Sequence, residues 1–225
     1  MHFKVFAVTA VARQLDPMTG LPDRGTFDRD FAARMGRKSK QPVPLSLAVV
    51  DIDLFGAIND AHGRVGGDAV LADLAVAVQA HVDAEGAVYR FGGDALAVLL
   101  PDVEKEQAFL RMEAFRCAYA GERRIVIDGT ARAVPVTVSM GVATCPDDGL
   151  TVADVVHRAN EALYRAKVSG RNKICLAREE KMVTKTSHYM QGQLLGLRRL
   201  AEREKIGEAV LLREALNDLL RKHNA

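Results

Sequence analysis

Three carboxylates sit where apolar runs end. Asp51 and Asp53 close the stretch "LSLAVVDID", and Asp94 stands between the two β-favouring runs of "RFGGDALAVLL". Gly92-Gly93-Asp94 has the composition of a tight hairpin that carries one carboxylate at its tip. Carboxylates from adjacent turns, with a backbone carbonyl between them, form a hard oxygen site of the kind Mg²⁺ uses when it also holds phosphates. Taken alone, strand-end aspartates more often cap turns. The residue after Asp94 is only Ala95, so the question is whether this is a catalytic turn that has lost a part or simply a turn.

The elements that must position these groups alternate between helix and strand. Asp23 precedes a helical pattern with Phe27, Phe31 and Met35 every four residues, and "LSLAVVDID" reads as a buried strand. A short helix, a Gly-rich turn and the helix "DAVLADLAVAVQAHV" follow, with Val70, Leu71, Leu74 and Val78 on one face. Beyond the hairpin come a helix over 102–120, the β-rich run "RRIVIDGTARAVPVTVSMGVAT", a helix over 151–168 and the short strand "NKICL". Alternation together with hairpins predicts an α/β fold whose sheet is mixed rather than purely parallel. An amphipathic helix within 1–14 leads into this unit, which is assigned to residues 1–175.

Bulk properties narrow the function classes. The 225 residues are 48% hydrophobic, without tryptophan, and carry a net charge of +2. That balance does not by itself announce nucleic-acid binding. No apolar run reaches the roughly 20 residues of a membrane helix, and the amino-terminal stretch has no signal-peptide cleavage pattern, so a cytoplasmic protein is expected. Cys117, Cys145 and Cys175 are widely spaced and predicted to be buried, reduced thiols.

Residues 14–175 resemble the GGDEF family, the diguanylate cyclases and their degenerate relatives. The resemblance rests on five ordered motifs: "DPMTGLPDRGTF", "DIDLFGAINDAHGRVGGD", "RFGGDAL", "VTVSMGVA" and "ANEALYRAKVSGRN". It implies a nucleotidyl-cyclase, ferredoxin-like mixed sheet with flanking helices and one GTP half-site per protomer. By the same resemblance, Asp51, the carbonyl of Ile52 and Asp94 match the metal ligands for Mg²⁺. Asn59 and Asp68 match the guanine readers, whose amide and carboxylate suit guanine's acceptor and donors. Lys167 and Arg171 match cations that hold the phosphates.

Two departures concern the chemistry. The signature reads Gly92-Gly93-Asp94-Ala95-Leu96, with Ala95 in place of an acidic residue and Leu96 in place of Phe, and Gly56 stands where a lysine is expected ahead of Ala57-Ile58-Asn59. One anion and one cation are lost together, so no unpaired charge remains to destabilise the fold. Each missing transition-state group typically costs about 10²–10⁴ in rate. The expectation is a site that binds a guanine nucleotide but turns it over weakly or not at all. The family's feedback motif, Arg-x-x-Asp, would fall at Asp83–Gly86 and is absent there.

The remaining segment, 176–225, changes character. It holds ten Lys and Arg against seven Asp and Glu, a net of +3. An extended polar stretch, "KMVTKTSHYM", precedes two amphipathic helical patterns, with Leu194, Leu197 and Leu200 on one face and Val210, Leu211, Leu216 and Leu219 on the other. The segment resembles a ribbon-helix-helix DNA-binding module, in which paired strands enter the major groove of double-stranded DNA. Strand alternation would turn Lys185, Ser187 and Tyr189 to the DNA and His188 to the helices. Gln191 and Gly207 depart from that module's usual helix-start residues. A lone strand and two helices bury too little surface to stand alone, so a homodimer is expected.

Two functions follow from these resemblances. The first is a DNA-binding transcriptional regulator with a degenerate, guanine-nucleotide-binding domain in cyclic di-GMP-type signalling. The alternative is an active diguanylate cyclase that converts two GTP to cyclic di-GMP and uses the tail as a dimerisation arm. A purely structural interaction protein is the third possibility.

Overall fold

The computed structural model describes residues 14–36, 43–83, 85–177 and 189–204, together with 207, 208, 211, 212, 215, 216, 219 and 222. The predicted lead-in helix over 1–14 lies outside the described residues except for Gln14, which has no regular structure. By contacts the chain divides into two units, Met1–Glu179 and Glu180–Ala225.

The first unit opens with α1 (Arg24–Met35), capped by the Asp23 carboxylate, which accepts the Thr26 amide as the sequence predicts. Strand β1 (Leu45–Ile52) follows and is buried along its whole length. Next come α2 (Phe55–His81), β2 (Ala87–Gly92), β3 (Ala95–Pro101), α3 (Lys105–Tyr119), β4 (Gly121–Ile127), β5 (Thr130–Val136), β6 (Val138–Cys145), α4 (Val152–Val168) and β7 (Ile174–Leu176). The main sheet has the order β2-β3-β1-β6-β7. It is mixed, since β7 runs parallel to β6 while the other neighbours are antiparallel. Strands β4 and β5 form a separate hairpin over Asp128-Gly129, whose φ values of 51° and 75° match the primed two-residue turn.

Alternation along β1 assigns its two faces. Ala48, Val50 and Ile52 join Leu71, Leu74 and Val78 of α2 and Met112 and Phe115 of α3, while Leu47 and Val49 join Phe27 and Phe31 of α1 and Val155, Ala159 and Leu163 of α4. The result is three layers with β1 at the centre. Its carboxyl end, where Asp51 and Asp53 stand, is therefore a fixed point of the fold. Helix α4 approaches β6 closely, because a Cβ on Gly141 would collide with the backbone of Ala159 and Leu163. Ala159, Ala162 and Ala166 continue this small-residue contact surface, each fully buried.

The structure corrects two details of the sequence reading. The Gly-rich turn expected inside "AHGRVGGD" is only a kink at Gly63 (φ 70°, ψ 174°), and Gly66 and Gly67 are buried within α2. Cys117 is exposed rather than buried, and all three cysteines are free, with Cys145 and Cys175 half-buried. Cys117 lies on the outer face of α3, where its Sγ approaches Arg116 and Glu113.

In the second unit, α5 spans Gln191–Glu204. Leu197 and Leu200 are half-buried, whereas Leu194 and Leu195 are exposed. Lys185, Ser187 and His188, and with them most of the predicted strand, lie outside the described residues. Tyr189 is exposed and precedes the helix without regular structure. Arg198 approaches Glu208 at 3.7 Å. No described helix is long and apolar enough to cross a membrane.

Candidate functional site

Asp51, Lys167 and Asp94 come together at the carboxyl end of β1. Asp51 pairs with Ala95 on one side and Ser139 on the other, which seats its side chain on the α1/α4 face of the sheet. It is 7% exposed. The α4 ammonium of Lys167 stands 2.6 Å from Asp51 Oδ1, and that oxygen has no other partner among the described residues. Burial pushes the Asp51 carboxyl up to about 6; Lys167 opposes the shift, and the nearby Asp94 and Asp53 charges add to it. Lys167, expected against phosphate, is thus held by a carboxylate. The pair shows that Asp51 sits where a cation can approach it.

Asp94 reaches Asp51 through the hairpin. Arg90 pairs with Leu96 and Gly92 with Ala95, leaving Phe91 as a bulge, and the connection is the two residues Gly93-Asp94 with Gly93 at φ 54°. The Arg90 guanidinium donates to the Gly93 carbonyl and so ties the tip down. From α1, the Arg24 guanidinium lies 3.9 Å above the Phe91 ring, and Phe91 packs edge-on to Phe27 at 5.2 Å. The tip is therefore supported by aromatic packing beneath it. Ile52 lies just past the last β1–β3 pair, Asp51–Ala95, and has no partner residue on β3.

Asn59 and Asp68 are brought together by the kink in α2. The Asn59 amide lies directly over Gly67, where a Cβ would collide with Asn59 Oδ1, and Asp68 is the next residue. The kink at Gly63 brings the two segments of α2 into this contact. The Asn59 amide and Asp68 are thus placed one residue apart across this contact.

Three features were not legible beforehand. Asp53 is 5% exposed and fully engaged: Thr137 Oγ1 and Ser139 Oγ donate to it at 2.8 Å and 2.6 Å, and the Asn172 amide donates at 2.9 Å. It is a structural anchor rather than half of a carboxylate pair. Arg90 sits among the charges of Asp16, Asp94 and Asp68, and its Nη1 is buried without a hydrogen-bond partner among the described residues. Burial lowers its pKa, against those carboxylates. Asp83, at the position of the absent feedback motif, pairs with Arg111 at 2.7 Å.

The donor set fits Mg²⁺ bound together with phosphates. Asp51 and Asp94 supply two hard oxygens in mutual electrostatic contact, and among the described residues no three His, Cys, Asp or Glu side chains form a complete protein cage. Mg²⁺ characteristically uses one or two carboxylates and completes its shell with water and phosphate.

Where a lysine was expected the structure has open space, and where an acidic residue was expected it has a packed methyl group. Gly56 is exposed, and a Cβ there would meet nothing within 4 Å. Ala95 lies partly buried beside Asp51 and packs on the α1/α4 core, while Leu96 is fully buried on the opposite face.

Comparison with known proteins agrees with this geometry. Residues 13–173 match the family model described as diguanylate cyclase, GGDEF domain. The chain is 33% identical over 159 residues to the response regulator PleD of Caulobacter vibrioides, which covers 71% of this chain and 35% of that protein. It is 29% identical over 184 residues to diguanylate cyclase DgcZ of Escherichia coli, covering 81% of this chain and 60% of that one. The chain thus spans about a third of the length of PleD. Among solved structures, the GGDEF domain of YfiN (TpbB) from Pseudomonas aeruginosa superposes with a TM-score of 0.68 at 29% identity, covering 73% of this chain and 95% of that domain. The GGDEF domain of DgcB from Caulobacter crescentus, solved with c-di-GMP, gives 0.67 at 27% identity, covering 75% of this chain and 97% of that one. With the model matched along 13–173 and the sheet, hairpin and kinked helix all in place, the chain belongs to the GGDEF diguanylate cyclase-domain family.

Proposed function

We propose that the first unit binds a guanine nucleotide with Mg²⁺ and makes little or no cyclic di-GMP, serving cyclic di-GMP signalling as a nucleotide-responsive element. One observation carries the reading: Asp51 lies with Lys167 and Asp94, while the two expected charged positions are Ala95, opposite Asp51, and the side-chain-free Gly56. Asp51, the Ile52 carbonyl and Asp94 would hold Mg²⁺, which supplies charge neutralisation for the phosphates. Asn59 and Asp68 would read the guanine, and Arg171 with Lys167 would meet the phosphates once Mg²⁺ replaces the ammonium beside Asp51. That relatives are named diguanylate cyclases, and that DgcB was solved with c-di-GMP, supports the ligand class.

The test is incubation of the purified chain with Mg²⁺ and GTP, followed by nucleotide analysis of the bound and free fractions. Retained GTP with negligible cyclic di-GMP supports the reading. Turnover at the rate of an intact cyclase would instead favour the active-enzyme alternative.

For the second unit we infer a dimerisation arm, supported by the exposed Leu194 and Leu195 of α5. The finer role, a DNA-binding regulator that contacts duplex DNA through Lys185, Ser187 and Tyr189, is supported by their alternate spacing and the net +3 of the tail. Selection from random duplexes at low salt, with and without GTP, tests it. Enrichment of a two-fold-symmetric site supports DNA binding, and no enrichment leaves the arm alone.

A further inference from the structure

The turn after α4 is held in an unusual backbone state. Arg171 and Asn172 have φ values of 58° and 44°, consecutive left-handed residues without glycine. Asparagine tolerates this region, whereas arginine rarely enters it and does so only where surrounding contacts fix it. Those contacts are specific. The Arg171 amide donates to the Ala166 carbonyl at 3.1 Å, and the Asn172 amide donates to Asp53 Oδ2 at 2.9 Å. The Asn172 side-chain oxygen accepts from Arg116 Nη1 at 2.6 Å, and Arg116 is itself gripped by both oxygens of Glu113, at 2.6 Å and 2.7 Å.

The chain of contacts runs Glu113–Arg116–Asn172–Asp53. It begins on α3, on the other side of the sheet from α4, and ends two residues from the candidate metal ligand Asp51. Arg116 is 14% exposed in its side chain, and the fork to Glu113 pre-orients it. Left-handed backbone at Arg171 has no use in packing, since the residue is exposed. Its effect is to fix the point from which the guanidinium departs, next to a residue bonded to the strand end that carries Asp51.

We propose that Arg116 and Asn172 are positioning residues, which lock the turn so that Arg171 meets the phosphates of the bound nucleotide. The inference rests on the nucleotide reading above and adds to it a residue from α3, outside every motif that carries the family resemblance. Arg116 touches no ligand; it acts through Asn172 on Arg171.

The experiment is calorimetric titration of GTP with Mg²⁺ into the full chain and its variants. Arg116→Ala and Asn172→Gly, the latter preserving both the left-handed backbone and the amide to Asp53, should each weaken GTP by roughly three- to tenfold, and by similar amounts. Added to Arg171→Ala, either change should have no further effect, because the group it positions is gone. Arg116→Lys should restore part of the affinity. A merely structural role would weaken GTP equally in the Arg171→Ala background, and that result, or unchanged affinity in both single variants, would overturn the positioning role. If the unsubstituted chain binds no GTP, the nucleotide reading itself fails and the positioning role falls with it, an outcome distinct from a chain that binds GTP but ignores Arg116.

Discussion

Asp51 faces Ala95 across the β1–β3 ladder, so the buried carboxylate of the site has a methyl group as its cross-strand neighbour where the family signature expects a second acid. On the function proposed above, the site keeps its binding groups at this pair and lacks the second acid. A glutamate at 95 would bring like charges together across the ladder, a cost that only a bound cation offsets.

Ala95→Glu should therefore destabilise the metal-free protein by about 0.5–1 kcal/mol, with the loss reversed by Mg²⁺. Combined with Gly56→Lys, which enters open space, it should raise cyclic di-GMP formation by about 10² or more. Thermal melts with and without Mg²⁺, and nucleotide analysis of the double variant, check the two halves. Leu96→Phe should not help, because Leu96 is fully buried and a larger ring overpacks the core by roughly 1–3 kcal/mol.

The proposed guanine-reading pair, Asn59 and Asp68, can be disturbed without altering either of its members. Gly67→Ala would drive its methyl group into the Asn59 amide, so it should weaken GTP about as much as Asn59→Ala does. Roughly tenfold is expected for each, from the loss of one or two ligand hydrogen bonds. Calorimetry on both variants is the check, with unchanged affinity in Gly67→Ala as the contrary result.

Stability should depend on pH through Asp51. Its folded-state value, raised from 3.8 to about 6, means that the folded protein holds this proton more tightly than the unfolded chain. The contribution is present below about pH 4 and is lost as pH rises through 6, reaching about 3 kcal/mol at most. The depressed carboxyls of Asp16, Asp23 and Glu113 act in the opposite direction, but only at lower pH. Between about pH 4 and 6.5, without Mg²⁺, Asp51→Asn should flatten the fall in melting temperature seen in the unsubstituted chain, and above that range the two should run parallel.

Cutting the chain after Glu179 should leave a folded monomer, since β7 and the Ala177 amide bond to Val142 remain in the first unit. Light scattering reads the outcome. A truncated protein that still dimerises places the interface in the first unit.

Much of this architecture was legible in local pattern. Asp23 as a cap, the mostly apolar run of β1, the hairpin around Gly93-Asp94 and the four-residue spacing of α1 each follow from sequence neighbours, and each appears as expected. What escaped depends on residues distant in the chain. Asp53 looked like a second reactive carboxylate because nothing near it in sequence shows Ser139 or Asn172 arriving 86 and 119 residues later. The partnership of Lys167 with Asp51 depends on Gly141 admitting α4 against β6, and the positioning role proposed for Arg116 depends on a left-handed Arg171 that local propensity does not favour. The glycines of "GRVGGD" suggested a turn, and only Gly63 breaks the helix, while Gly66 and Gly67, with Asn59 packed over Gly67, stay helical.

The central claim is that Asp51 and Asp94 hold Mg²⁺ for a guanine nucleotide that is bound but scarcely converted. Its most direct test is calorimetric titration of GTP into the full chain with Mg²⁺ and then with EDTA, repeated for Asp94→Asn. Saturable binding with Mg²⁺, lost with EDTA and weakened by Asp94→Asn, is the result this structure predicts. GTP binding that is absent, or equal with and without the metal, would contradict it.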